Sequence, residues 1–121
     1  MSLTIVDYLV ATNENWRDSV TLESGDPAGP VDLTGSTFRA HLRQPAEALH
    51  TVLVCTTENG RLVIADQEED TGVLAWNVPV EVLQYIEPGE YAYDVVWTDA
   101  EGNIDRFMAG KVTIQRGVTR P

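Results

Sequence analysis

The stretch Pro88-Gly89-Glu90-Tyr91-Ala92-Tyr93-Asp94-Val95-Val96-Trp97-Thr98, followed by Asp99-Ala100-Glu101-Gly102-Asn103 and then by residues 104–115, decides the fold. In the first arm Tyr91, Tyr93, Val95 and Trp97 fall at every second position. Alternate side chains of a strand share a face, so these four form one large apolar surface. Glu90, Asp94 and Thr98 point the other way. The second arm places Ile104, Met108, Val112 and Ile114 on one face and Asp105, Lys111, Thr113 and Gln115 on the other. Arg106 and Gly110 interrupt its apolar face, and Phe107 breaks its polar one. A short polar turn with a glycine joins two such arms as a β-hairpin. A lone hairpin is marginal in water, so the rest of the chain must cover the aromatics with a second layer.

The flanking sequence supplies that layer as further short strands. Trp16, Val20 and Leu22 alternate, with Asp18 out of pattern; it requires a place at a strand edge or a buried donor to accept from. Residues 25–30, Gly-Asp-Pro-Ala-Gly-Pro, form a dense turn. Phe38, Ala40 and Leu42 then face inward while Thr37, Arg39, His41 and Arg43 face solvent. Residues 52–56, 61–65 and 73–78 read as three more strands, separated by Glu58-Asn59-Gly60 and by the acidic loop 67–72. Residues 79–86 are the one helix-like piece, opening on proline and carrying Val82, Leu83 and Ile86 at helical spacing. Strands at intervals of roughly ten residues with turns between them predict an all-β, two-layer immunoglobulin-like β-sandwich with one short helical turn near Pro79 and Ile86. The chain reads as a single domain over residues 1–121, with residues 1–11 as a docking arm and 117–121 as a flexible tail.

Composition narrows the function classes. The 121 residues carry 19 Asp and Glu against 8 Lys and Arg, a formal net charge of −11. That balance repels nucleic-acid phosphates and anionic lipid, so neither nucleic acid nor membrane is expected as a partner. Arg39, His41 and Arg43 form the one local basic cluster. The single cysteine, Cys55, lies within a strand-like run and reads as a small buried hydrophobe. The start of the chain lacks the basic and apolar regions of a signal peptide, and no run approaches the ~20 apolar residues of a membrane span.

No nucleophile–base pair, His-rich metal spacing or phosphate loop is present, so no catalytic residue, enzyme activity or cofactor is expected. Asp99, Glu101, Asn103 and Asp105 place oxygens at alternate positions, as calcium loops do. Ile104 stands where such a loop needs glycine, and an ordinary solvated turn fits Gly102 better. The acidic loop at Asp66, Glu68, Glu69 and Asp70 reads as solvated too. Trp16, Trp76 and Trp97 fall on apolar faces and are assigned to the core. Interface candidates are Leu3, Ile5, Val6, Tyr8 and Leu9 of the apolar N-terminal stretch, and Arg106, whose guanidinium needs Asp18, Asp94, a rim or an interface.

Several segments taken together carry a family resemblance: Pro30-Val31-Asp32-Leu33-Thr34-Gly35-Ser36-Thr37-Phe38-Arg39-Ala40, Thr56-Thr57-Glu58-Asn59-Gly60-Arg61-Leu62, Gly72-Val73-Leu74-Ala75-Trp76, the Gly89-Glu90-Tyr91-Ala92-Tyr93-Asp94 strand and Gly110-Lys111-Val112-Thr113-Ile114. From about Trp16 to Arg120 the chain resembles the immunoglobulin-like N-terminal domain of phage and prophage upper-baseplate and tail-fibre proteins, the BppU type. The resemblance implies a bacteriophage or prophage virion structural protein, a tail, baseplate or fibre-attachment module working by protein–protein interaction. It would be assembled in the bacterial cytoplasm with other phage structural proteins as partners, and as a homo-oligomer. BppU-type proteins carry a longer C-terminal part, whereas this sequence stops at Pro121. Two alternatives stand beside that expectation: a carbohydrate- or calcium-binding adhesion module and a head–tail connector component.

Overall fold

The computed structural model describes residues 3–25 and 27–119. Eleven strands and one helical turn follow in order: β1 (Thr4–Ile5), β2 (Tyr8–Ala11), β3 (Ser19–Thr21), β4 (Glu23–Ser24), β5 (Gly29–Pro30), β6 (Thr37–Arg43), β7 (Leu53–Thr56), β8 (Leu62–Ile64), β9 (Val73–Trp76), α1 (Val80–Leu83), β10 (Gly89–Thr98) and β11 (Ile104–Gln115). The large sheet has the order β1-β11-β10-β6-β7, with β2 also on β11. The small sheet is β3-β9-β8, and β4 pairs with β5. Packed face to face, the two layers make the immunoglobulin-like β-sandwich that the alternating pattern predicts.

The hairpin is the centre of the large sheet, and its inner face matches the sequence reading on β10. Tyr91, Tyr93, Val95 and Trp97 are all buried, while Ala92, Asp94, Val96 and Thr98 face outward. On β11 the reading needs correction. The register slips between Val95 and Val96, so that Val95 opposes Met108 and Val96 opposes Arg106. One extra residue enters β11 there, a β-bulge, and both Phe107 and Met108 turn inward. Beyond the bulge the faces exchange. Ile104, expected inside, is 69% exposed, and Arg106 leaves the apolar face altogether. The turn closes through Gly102 N donating to Asp99 O at 3.0 Å and Asp99 N donating to Asn103 O at 3.0 Å. Gly102 takes φ +91°, a conformation that favours glycine.

An aromatic layer fills the core between the sheets. Trp16 and Trp76 stack with centroids 4.2 Å apart and 14° between planes, and Tyr8 and Tyr93 meet Trp76 edge-on. Such pairs add about 0.5–1.5 kcal/mol beyond area burial. Each indole N–H finds an acceptor: Trp16 Nε1 donates to Asp18 Oδ2 at 3.0 Å, Trp76 Nε1 to Tyr8 Oη at 3.1 Å and Trp97 Nε1 to Ser36 Oγ at 2.9 Å. Asp18 thus breaks the alternation because it accepts from the neighbouring indole. The helical turn is shorter than the periodic stretch 79–86 suggests. It is capped by Val80 N donating to Asn15 Oδ1 at 2.8 Å, and Leu83 and Ile86 close one end of the core.

Candidate functional site

The expected contact residues of the N-terminal stretch divide between two faces. β1 and β2 run parallel to β11, with Ile5 opposite Ala109 and Tyr8 opposite Val112. Tyr8 sits in the aromatic layer, and Tyr93 Oη donates to Val6 O at 2.6 Å. Val6 and Tyr8 are therefore part of the sandwich, whereas Leu3, Ile5 and Leu9 are exposed along its rim. At the other end of the chain, Gly117 N donates to Thr12 Oγ1 at 3.0 Å and Thr119 O accepts from Asn13 Nδ2 at 3.0 Å. Arg120 and Pro121 lie outside the described residues.

The acidic candidates serve their own loops. Asp99 Oδ1 accepts from the backbone N–H groups of Glu101 and Asn103, each at 2.9 Å, and Oδ2 from Asn103 Nδ2 at 3.1 Å. Those bonds hold its carboxyl below the usual range, the Asn103 N–H contributing most. In the second loop Gln67 is the organiser, its Oε1 accepting from Leu33 N and Gly72 N at 2.9 and 3.0 Å. Among the described residues, no three His, Cys, Asp or Glu side chains converge where they would hold a metal ion. Cys55 is fully buried, and burial pushes its thiol up to about 12, so it stays protonated and inert.

The arrangement with chemical capacity is the outward face of the large sheet. Strand pairing sets its side chains in rows across β11, β10 and β6. Lys111, Ala92 and Arg43 form one row; Ala109, Asp94 and His41 the next; Arg106, Val96 and Arg39 the third; Ile104, Thr98 and Thr37 the fourth. The short outward side chains of β10, Ala92, Asp94, Val96 and Thr98, leave a trough between two flanks. It is about 500 Å³ beside Ala92, Asp94, His41, Arg43 and Arg106, with Ile5, Ala46, Ala109 and Gly110 completing the wall. A second, separate hollow of about 260 Å³ lies beside Arg39, Glu58, Val96, Thr98 and Ile104.

Charge is concentrated here. Arg39, Arg43, Arg106 and Lys111 are four of the chain's 8 Lys and Arg, in a protein of net charge −11. Arg106 Nε donates to Asp94 Oδ2 at 3.0 Å, both side chains about half exposed. Lys111 Nζ lies 3.4 Å from Glu90 Oε1 at the solvent rim. Arg43 donates through Nη1 to Ala48 O at 2.7 Å and through Nη2 to His41 Nδ1 at 3.3 Å. Desolvation pulls the His41 imidazole below its usual range; Arg43 and Arg39 push the same way, against Asp94. The sequence alone marks Arg39, His41 and Arg43 as one face. The contributions of Asp94, Lys111 and the small floor residues come from neighbouring strands and have no signal in linear spacing.

No protein-family model and no curated protein matches the chain. Among solved structures it is similar to CopC from Methylosinus trichosporium OB3b, with 12% sequence identity over 95% of this chain and 89% of that one, at a TM-score of 0.50. A likeness at that identity is a likeness of fold. No helix among the described residues is long and apolar enough to cross a membrane. The neighbour corrects the expectation of a bacteriophage virion part. The tail, baseplate and fibre-attachment reading rested on the resemblance of several segments, and the sandwich they build is the fold of a CopC protein, so the fold marks no place in a particle. The connector alternative rested on the same resemblance and falls with it, while the adhesion-module alternative rested on the loops Asp66–Asp70 and Asp99–Asp105, where no three acidic, His or Cys side chains converge among the described residues. What the chain shares with a solved neighbour is its β-sandwich fold.

Proposed function

We propose that this domain is a non-catalytic recognition module that binds a carboxylate-bearing ligand on the outward face of its large sheet. One observation carries the reading: a chain of net charge −11 gathers His41, Arg43 and Arg106 beside one hollow of this face and Arg39 beside the next, with Lys111 in the adjoining row opposite Ala92. Like-signed groups repel, and while Asp94 and Glu90 offset Arg106 and Lys111, Arg39 and Arg43 have no ion-pair partner among the described residues. Guanidinium groups suit a carboxylate ligand because their planar fork matches it in two parallel bonds. Arg106 and Arg39 retain donors with no protein partner among the described residues. Titration with capped alanine-rich peptides carrying two glutamates, followed by amide shifts of Asp94, Arg106 and their neighbours, tests the reading. The double variant Arg39→Gln/Arg106→Gln should weaken binding about tenfold or more, the loss of roughly two charge-assisted contacts. Arg17→Gln/Arg116→Gln removes the same charge away from the trough and should leave affinity within about twofold. Equal losses in the two double variants would reduce the effect to net charge and overturn the site.

The rim supports a second reading, self-association, because Leu3, Ile5 and Leu9 are 43%, 65% and 65% exposed along one sheet edge. Light scattering over a concentration series checks it: a mass rising toward a dimer, abolished by Ile5→Lys/Leu9→Lys, is expected, and a constant monomer mass removes it.

A further inference from the structure

We infer that the ligand of this face is an extended acidic peptide whose two carboxylates lie four residues apart, with an uncharged residue midway between them. The inference rests on the anion-recognition reading above and adds a spacing rule to it. Cations flank β10 in two rows, Lys111 with Arg43 on either side of Ala92, and Arg106 with Arg39 on either side of Val96. Ala92 and Val96 are four strand positions apart, about 13 Å at ~3.3 Å per residue. An extended peptide lying along β10 has the same repeat, so its side chains i and i+4 reach both cation rows together. Two hollows lie at successive positions of β10, one at Ala92 and Asp94 and one at Val96 and Thr98, the second with Glu58 on its far side from β11.

The row between is different. There Asp94 stands with Ala109 on one side and His41 on the other, and its carboxylate already occupies Arg106 Nε. A ligand carboxylate at i+2 would face Asp94 and be repelled, whereas a small uncharged side chain fits over Ala109. Asp94 is thus a specificity determinant, and by accepting from Arg106 Nε it also fixes where that guanidinium stands. Nucleic acid fits less well. A phosphate chain puts a charge on every unit, one of them against Asp94, and the outward rows of β6, β10 and β11 carry no Phe, Tyr or Trp on which a base would stack, His41 being their one ring.

Three capped peptides of equal length and composition test this: Glu-Ala-Thr-Ala-Glu, Glu-Ala-Glu-Ala-Thr and Glu-Glu-Ala-Thr-Ala, with an oligouridylate of matched charge as a fourth ligand. Calorimetry on the intact chain should show the first binding about tenfold tighter than the other two, the scale of one like-charge clash at a half-exposed site. Asp94→Asn should raise affinity for the i, i+2 peptide to within about twofold of the first, while the Arg39→Gln/Arg106→Gln variant weakens all three. Equal affinities for the three peptides in the wild-type chain would sink the spacing rule and leave anion recognition standing. Failure of all four ligands to bind would remove both readings, and tighter binding of the oligouridylate would replace the peptide with a polyphosphate.

Discussion

Trp76→Ala should be the most damaging single substitution in this domain, removing about 3–5 kcal/mol of folding stability. Trp76 is 2% exposed and touches both layers. Its ring stacks on Trp16 from its own layer, and it meets Tyr8 and Tyr93 of the large sheet edge-on. Its N–H donates to Tyr8 Oη, so truncation leaves a cavity and also an unpartnered, half-buried hydroxyl. Set against the roughly 5–15 kcal/mol that holds a typical domain together, this loss brings the chain close to unfolding at 37 °C. Urea denaturation followed by circular dichroism measures it. Trp76→Phe should recover more than half of the loss, because the apolar ring is kept and only the hydrogen bond goes. A cost below about 1 kcal/mol for the alanine variant would mean that the aromatic layer is not what joins the sheets.

Gly110→Ala should cost about 1–3 kcal/mol, although it adds a single methyl group. A Cβ at Gly110 would lie 2.2 Å from Val6 O, 2.9 Å from Val6 C and 2.8 Å from Asp7 Oδ1. Two of these three are backbone atoms, so a side chain cannot simply rotate away. The crowding arises where the N-terminal strand steps between β1 and β2. There Val6 N donates to Ala109 O at 3.0 Å and Asp7 Oδ1 accepts from Lys111 N at 3.0 Å. Pushing Val6 outward breaks that seam and also the bond from Tyr93 Oη to Val6 O. Hydrogen exchange at Val6 and Lys111 should accelerate well beyond the change in global stability. Gly29→Ala is the control, because a Cβ there meets nothing within 4 Å. If the two variants prove equally stable, the N-terminal strand is not anchored at Gly110.

The boundary between what was legible and what was not runs through the hairpin itself. On β10 strict alternation meets an unbroken ladder with β6, so Tyr91, Tyr93, Val95 and Trp97 could be assigned inward from the sequence. On β11 the same rule failed for Ile104 because a bulge at Phe107 reverses the faces, and a bulge is fixed by pairing with a partner strand. Arg106 was an anomaly on a supposed apolar face for that same reason. Once the slip is made it faces solvent beside Asp94, one of the two partners its charge pointed to. Residues 3–10 were legible as apolar and extended. Whether they stayed free or joined a sheet depended on Gly110 leaving room for Val6, a contact between residues more than a hundred positions apart.

By itself the sequence determined the chemistry of each strand: which side chains alternate, where glycine and proline interrupt them, and that an acidic chain keeps a small set of cations on β6. Those properties are local, set by the two-residue period of extended backbone and by turn conformation. Only the tertiary structure decided that Arg39 and Arg43 of β6 face Arg106 and Lys111 of β11 across a floor of Ala92 and Val96, with Asp94 between the two pairs. Cross-strand register and one bulge create that juxtaposition, and neither is written in the spacing of any single segment.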